Sequence, residues 1–233
     1  AAEVAEKLAE RARAEAETGE QARGPEPIAP DPKQAVPQPN AQRNFIDPES
    51  RIMPDGANKG AFIQGYNAQI AVDDEAQIIV AALVVQTPND VQQLVPMAAE
   101  IVANVGQLAK TTSADAGYFS ASNVEHPALA DTNLLVPPNR LKHASVPIIE
   151  PLQGGATPAQ RMRHKLSNSE DREKYKRRKA IVEPVFGQIK EARGLRRFLL
   201  RGIDNVRAEF NLIAMTHNLL KLFRFGSAPA LAT

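Results

Sequence analysis

Glu183 sits in a dense field of cations. The run from Tyr175 to Arg193 reads Tyr-Lys-Arg-Arg-Lys-Ala-Ile-Val-Glu-Pro-Val-Phe-Gly-Gln-Ile-Lys-Glu-Ala-Arg. A carboxylate placed there does little for stability, but it suits a place where a metal ion and a polyanion must meet. Between Arg161 and Arg201 there are 14 Lys and Arg against 5 Asp and Glu, whereas the first 100 residues carry 8 against 16. The net charge of +1 therefore hides an acidic front and a basic back, which points to nucleic-acid phosphates. The plain alternative is a solvated amphipathic helix.

Asp115 is the second candidate. Lys110-Thr-Thr-Ser-Ala-Asp115 reads as a strand that ends on an acid, at the sheet edge where open α/β folds carry ligands. A second acid on a helix across that edge can share a divalent ion with it, and hard oxygen donors suit magnesium or manganese. Two such ions about 4 Å apart clamp an in-line phosphoryl displacement, while surrounding Arg and Lys hold the phosphodiester backbone. The alternative for Asp115 is a cap on the turn at Ala116-Gly117. His126, His143, His164 and His217 have no metal-ligand spacing, and the last reads as a hydrogen-bonded core histidine.

These acids need elements to position them. Gly65 to Asp73 reads as a strand, Asp74-Glu75 as a tight turn, and Ile78 to Val85 as a second strand, together an antiparallel hairpin. Asn89 or Asp90 caps a helix with Val91, Leu94, Val95, Ala98, Ile101, Val102 and Val105 at helical spacing, and Gly106 ends it. After the Asp115 strand, Ser120 or Ser122 caps a short helix to about Ala130, and Asn133 to Pro137 is another strand, parallel to the first. Leu141 to His164 reads as a loop. A basic helix runs from about Asn168 to Ala192 and is closed by Gly194. Pro184 predicts a kink or a restart inside it. Ala208 to Phe223 is a final helix. Upstream, residues 2–22 read as an Ala/Glu/Arg-rich helix. The six prolines between Gly24 and Asn40 make an extended linker.

Composition narrows the function classes. Cysteine is absent, which excludes disulfides and cysteine metal sites and fits a reducing cytoplasm. The apolar runs are strand-length rather than membrane-spanning. Aromatics are 5% with no Trp, which argues against a base-stacking platform.

Together, Asp47-Pro-Glu-Ser-Arg-Ile-Met53, Gly65-Tyr-Asn-Ala-Gln69, Ser113-Ala-Asp-Ala-Gly-Tyr118, Tyr175 to Lys190 and Arg193-Gly-Leu-Arg-Arg-Phe198 carry a resemblance. The chain resembles the C-terminal part of bacterial insertion-sequence transposases with a ribonuclease H-like DDE catalytic domain, over about residues 43–225. The resemblance implies an α/β fold: a mixed sheet with flanking helices, here lacking its first strand. Residues 1–22 would be the remnant of a helical insertion, 23–42 a Pro-rich linker, 43–225 the truncated catalytic domain and 226–233 a tail. It implies that Asp115 and Glu183 are the second and third catalytic acids and ligands of a two-ion Mg2+ or Mn2+ site, with their carboxylates within roughly 4–8 Å of each other, a separation one ion can span. It implies that Tyr175, Arg178 and Lys190 belong to a Tyr–Arg–Glu–Lys signature; the clustering of Arg193, Arg196 and Arg197 after the helix favours DNA-backbone contact over a solvated face, so six residues are assigned to DNA binding. DNA, as transposon ends and target, is the implied partner, bound by a homo-oligomer in the cytoplasm at the nucleoid. The family's first Asp has no counterpart upstream of Gly65; Asp47 and Asp73 are poor substitutes in turn-like runs. The chain alone is therefore expected to be inactive. The first Asp would come from an upstream polypeptide in a split enzyme, or the chain is a DNA-binding remnant.

Overall fold

Short strands and helices follow one another in the order β1 (Arg51–Pro54), β2 (Phe62–Gly65), β3 (Asn67–Val72), β4 (Ile79–Val85), α1 (Leu94–Val105), β5 (Thr111–Ser113), α2 (Ala121–Val124), β6 (Asn133–Leu135), α3 (Pro158–Lys165), α4 (Ser169–Gly187) and α5 (Ile203–Gly226). The computed structural model describes residue 8, residues 42–139 other than 57 and 59, and residues 154–226. The chain divides into two units, residues 1–43 and 44–233, and the described elements all belong to the second. Leu8 is helical; the rest of the helix read at 2–22, residues 23–41 of the linker, the start of the 141–164 loop and the tail after 226 lie outside the described residues.

The architecture is mixed α/β. The strands form three two-stranded ladders rather than one sheet: β1–β2 antiparallel, β3–β4 antiparallel and β5–β6 parallel. The β3–β4 hairpin pairs Asn67 with Val85 and slips by one residue at Ala71/Val72. Its turn is built on Asp73, whose carboxylate accepts from the N–H groups of Glu75, Ala76 and Ile78. Gln77 takes the left-handed conformation at φ 57°, uncommon for a residue with a side chain. The β1–β2 hairpin went unread because Pro48, Pro54 and Gly56 give that stretch the look of a loop. The strand read as Gly65–Asp73 breaks at Tyr66, where the chain leaves one ladder for the other.

Asn89 caps the single 3-10 turn Asp90–Gln93 that leads into α1, and Gly106 closes α1 at φ 85°, the left-handed position glycine takes without strain. The helix expected to run to Ala130 is split into α2 and a 3-10 turn, Pro127–Leu129, since Pro127 has no N–H to continue it. The loop reading of 141–164 is corrected over its last part: α3 starts on a reciprocal cap between Thr157 and Gln160 with Pro158 at its first turn. The last helix is longer than its apolar pattern, because Ile203 and Val206 pack although Asp204 and Asn205 interrupt them.

Four apolar clusters hold the unit together. Leu94, Ala98, Leu129, Leu134 and Val136 join α1 to β6. Leu135, Met162 and Leu166 join β6 to α3 and take Tyr175 of α4 against them. Ile79, Val185, Ile189, Ile213 and Ala214 join the hairpin to α4 and α5. Val84, Val206 and Phe210 complete the hairpin–α5 contact. Helix α4 thus packs near its start on the β5–β6 half and near its end on the hairpin half. Each apolar stripe is buried where two elements meet, which is what makes these helices stable in water. Among the described residues, no helix is long and apolar enough to cross a membrane.

Candidate functional site

Helix α4 carries Glu183 through a position that should break it. Pro184 has no N–H, so the carbonyl of Ala180 loses its i+4 donor. The helix nevertheless runs on to Gly187, so of the two expected outcomes, a kink or a restart, it does not restart at Pro184. Gln77, at the hairpin turn, donates its side-chain amide to the carbonyls of Ala180 and Ile181, each at 3.2 Å. The irregularity comes one turn later, as a π-helical segment at Gln188–Ala192, a geometry often met near functional sites. Gln77 is itself held: Lys221 donates to its Oε1 at 2.8 Å, and its backbone carbonyl lies 2.8 Å from Nε2 of His217. One residue further along α5, Asn218 exchanges two 2.8 Å hydrogen bonds with the backbone of Ile79. His217 is fully buried, as expected of a core histidine.

Asp115 lies two residues beyond β5. Its Oδ1 accepts from the N–H of Gly117 at 2.9 Å and caps the 3-10 turn Ala116–Tyr118. The capping role is therefore real, but it occupies one oxygen only. Asp115 and Glu183 line the same cleft, of about 2890 Å³. Small-molecule sites usually occupy about 300–1,000 Å³, so this is room for a polymer. Arg163, Arg172, Lys176, Arg177 and Lys179 also line it, so the acids share the cleft with a set of cations. Tyr175 and Arg178 border the cleft as well, with the Arg178 guanidinium 5.6 Å over the Tyr175 ring. Burial first, then the charges of Asp90 and Asp115, push the Tyr118 phenol well up, with Arg178 opposing. Burial likewise raises Tyr175, opposed by Arg178. Both phenols stay protonated donors at neutral pH.

The remaining sequence-predicted residues lie past the cleft. Lys190 sits in the π segment with its ammonium 5.2 Å over the Phe186 ring. Arg193 is drawn onto α5, donating to Thr216 Oγ1 at 2.7 Å and Thr216 O at 3.1 Å. Arg196 pairs with Glu191, and Arg197 is exposed. The structure groups Tyr175 and Arg178 with Asp115 and Glu183; it does not bring Lys190, Arg193, Arg196 and Arg197 to the same wall.

Of the two upstream acids considered as substitutes, Asp73 borders the cleft and Asp47 does not; both carboxylates have partners within the chain. Asp47 is buried and accepts from the Tyr66 hydroxyl at 2.7 Å and the Gly202 N–H at 3.2 Å. Asp73 is used up by its turn. Among the described residues, no three His, Asp or Glu side chains cluster closely enough to hold a metal by themselves. Sequence reading passed over Asp90, which borders the cleft together with Gln69. A signal was present: a strand–helix–strand unit returns the chain so that both strands end on the same edge, and Asp90 follows the first strand as Asp115 follows the second.

Residues 34–219 match the family described as the transposase DDE domain, and the chain belongs to that family. No curated protein and no solved structure matches it significantly.

Proposed function

We propose that this member of the transposase DDE family acts in metal-dependent cleavage and joining of DNA strands, with Asp115 and Glu183 as metal-binding carboxylates. The observation that carries this reading is the polymer-sized cleft that both acids share with a set of cations. The donor chemistry fits: Asp115 keeps one oxygen clear of its turn, Glu183 is exposed, and both offer the hard oxygens that Mg2+ or Mn2+ takes. A divalent cation held there supplies Lewis-acid activation of an in-line phosphoryl displacement. Arg178, fixed against Tyr175, orients a phosphate beside Asp115. The cations of α4 hold the backbone by charge. Lys190, Arg193, Arg196 and Arg197 extend the DNA path beyond the cleft.

A further strand between β3 and β5 belongs to the same reading. β3 hydrogen-bonds only to β4 and β5 only to β6 among the described strands, and both border the cleft. A strand inserted there pairs both free edges, and an acid on it completes the carboxylate set. The test has two arms. The purified chain with Mg2+ or Mn2+ and supercoiled plasmid is expected to bind DNA without cutting it. A protein carrying the additional acidic strand is expected to cut and join, and Asp115→Ala is expected to abolish joining while DNA binding persists. Strand transfer that survives Asp115→Ala refutes the assignment.

A further inference from the structure

Gly117 has no backbone reason to be glycine, for its φ is not among the positive ones. Its reason is space. A Cβ on Gly117 would stand 3.1 Å from Asp115 Oδ1, the oxygen that caps the turn and leaves Oδ2 clear, and 3.4 Å from Asp90 Oδ2. Two carboxylates from different elements therefore converge on one small gap that a side chain would fill. Asp90 is aimed into it by two donors on its other oxygen: Asn67 Nδ2 at 2.7 Å and Gln69 Nε2 at 2.8 Å, both from β3. Neither carboxylate has an ion-pair partner among the described residues. No ion pair offsets the repulsion between them; Arg178 stands nearby, over the Tyr175 ring, without pairing with either acid.

A second observation points to what offsets it. Gln69 is 4% exposed and borders the cleft, yet its amide oxygen is buried and has no hydrogen-bond partner. Buried acceptors are almost always satisfied, by protein, water or an ion. This one belongs to the side chain that holds Asp90.

We propose that Asp90 is a metal-ligating carboxylate, forming with Asp115 and the Gln69 amide oxygen a divalent-cation site across the Gly117 gap. The proposal rests on the reading of Asp115 as a metal ligand and adds a carboxylate that the sequence did not suggest. Two carboxylate oxygens and a neutral amide oxygen are a hard donor set of the kind Mg2+ and Mn2+ accept, with waters completing an octahedron. The like charges and the orphaned acceptor are then satisfied together.

The competing account makes Asp90 a structural tie between the helix start and β3. Asp90→Asn separates the two, because the amide keeps an oxygen for Asn67 and Gln69 but loses the charge. The measurement is Mn2+ binding to the full 233-residue chain, by titration calorimetry and by loss of the free-Mn2+ electron paramagnetic resonance signal. Asp90→Asn and Asp115→Asn are each expected to weaken binding by at least about tenfold. Gly117→Ala is expected to do the same without removing a ligand. Asp204→Asn, 91% exposed on α5, is expected to leave binding unchanged. Circular dichroism checks the fold of each variant, and Gly117→Ala carries the test if Asp90→Asn does not fold. Wild-type affinity in Asp90→Asn or folded Gly117→Ala, with weakened binding in Asp115→Asn, overturns the role of Asp90 and leaves Asp115 standing. No Mn2+ binding by the wild type, or none lost in Asp115→Asn, overturns both.

Discussion

Replacing Gln77 by alanine tests how α4 passes Pro184. The substitution keeps a Cβ, so the cost of holding φ 57° is common to both residues. It deletes the shared donor to Ala180 and Ile181 and the acceptor for Lys221. A net hydrogen bond contributes about 0.5–1.5 kcal/mol. The two contacts at 3.2 Å share one donor group and lie at the long end of good geometry, so together they count as about one bond. The Lys221 bond is charge-assisted but part-exposed and screened, about 0.5–1 kcal/mol. The total is about 1–2.5 kcal/mol, a fall in Tm of roughly 2–10 °C for a unit of this size. The decisive step is a cycle with Pro184→Ala, which is itself stabilising by up to about 3 kcal/mol. The alanine introduced there supplies the N–H that the Ala180 carbonyl lacks, so Gln77→Ala should cost about 0.5–1 kcal/mol less in that background. Urea unfolding followed by circular dichroism measures all four corners. Equal costs in the two backgrounds, within about 0.3 kcal/mol, refute the idea that Gln77 stands in for the missing donor.

Burial, with Lys221 and Arg193 adding, holds His217 below its ordinary 6.5. The unfolded chain takes up the proton first, so this contribution is full above about pH 6.5 and is lost as pH falls through the lower folded value. Tm is expected to drop on acidification from about pH 7.5 to 5, with a shallower slope in His217→Gln; parallel slopes count against it. Phe210→Ala, at 4% exposure between Val84 and Phe198, should cost about 3–5 kcal/mol, read from the urea midpoint. Arg197→Ala should weaken DNA binding across all sequences and lower the salt slope by about 1. Arg193→Ala should also lower Tm, because its guanidinium grips Thr216.

What the sequence displayed was local. The β3–β4 hairpin could be read because Asp73-Asp74 stands between two apolar runs, and α1 because its apolar residues recur on one face up to Gly106. The parallel β5–β6 pair follows from a short helical crossover between two strands. Asp115 and Glu183 stood out by type and neighbours. Asp90 did not, because Asn-Asp before a helix looks like a cap, and which of the two caps depends on a bond from β3 that no local pattern records. Gln77 hid for the same reason: its partners lie more than 100 residues away. The capping pair Thr157/Gln160 was legible and was outweighed by the prolines and glycines before it.

The position of Glu183 relative to Asp115 is set by neither residue's own strand or helix. With β3 and β5 unpaired to each other, the two halves of the unit are joined by α1, which packs on β4 and on β6, and by α4 along the cleft. The early α4 residue Tyr175 packs on Leu135, Met162 and Leu166 beside Asp115, and Val185 and Ile189 pack with Ile79 and Ile213. About 10 residues, or about 15 Å of helix, separate these anchors, and Glu183 lies near the second. A change in the hairpin turn that lets the Val185 end slide therefore moves Glu183 while leaving Asp115 in place. Loss of the Gln77 contacts should thus impair any function that needs both acids more than it impairs Mn2+ binding at Asp90 and Asp115, whose supports run through β3 and Gly117.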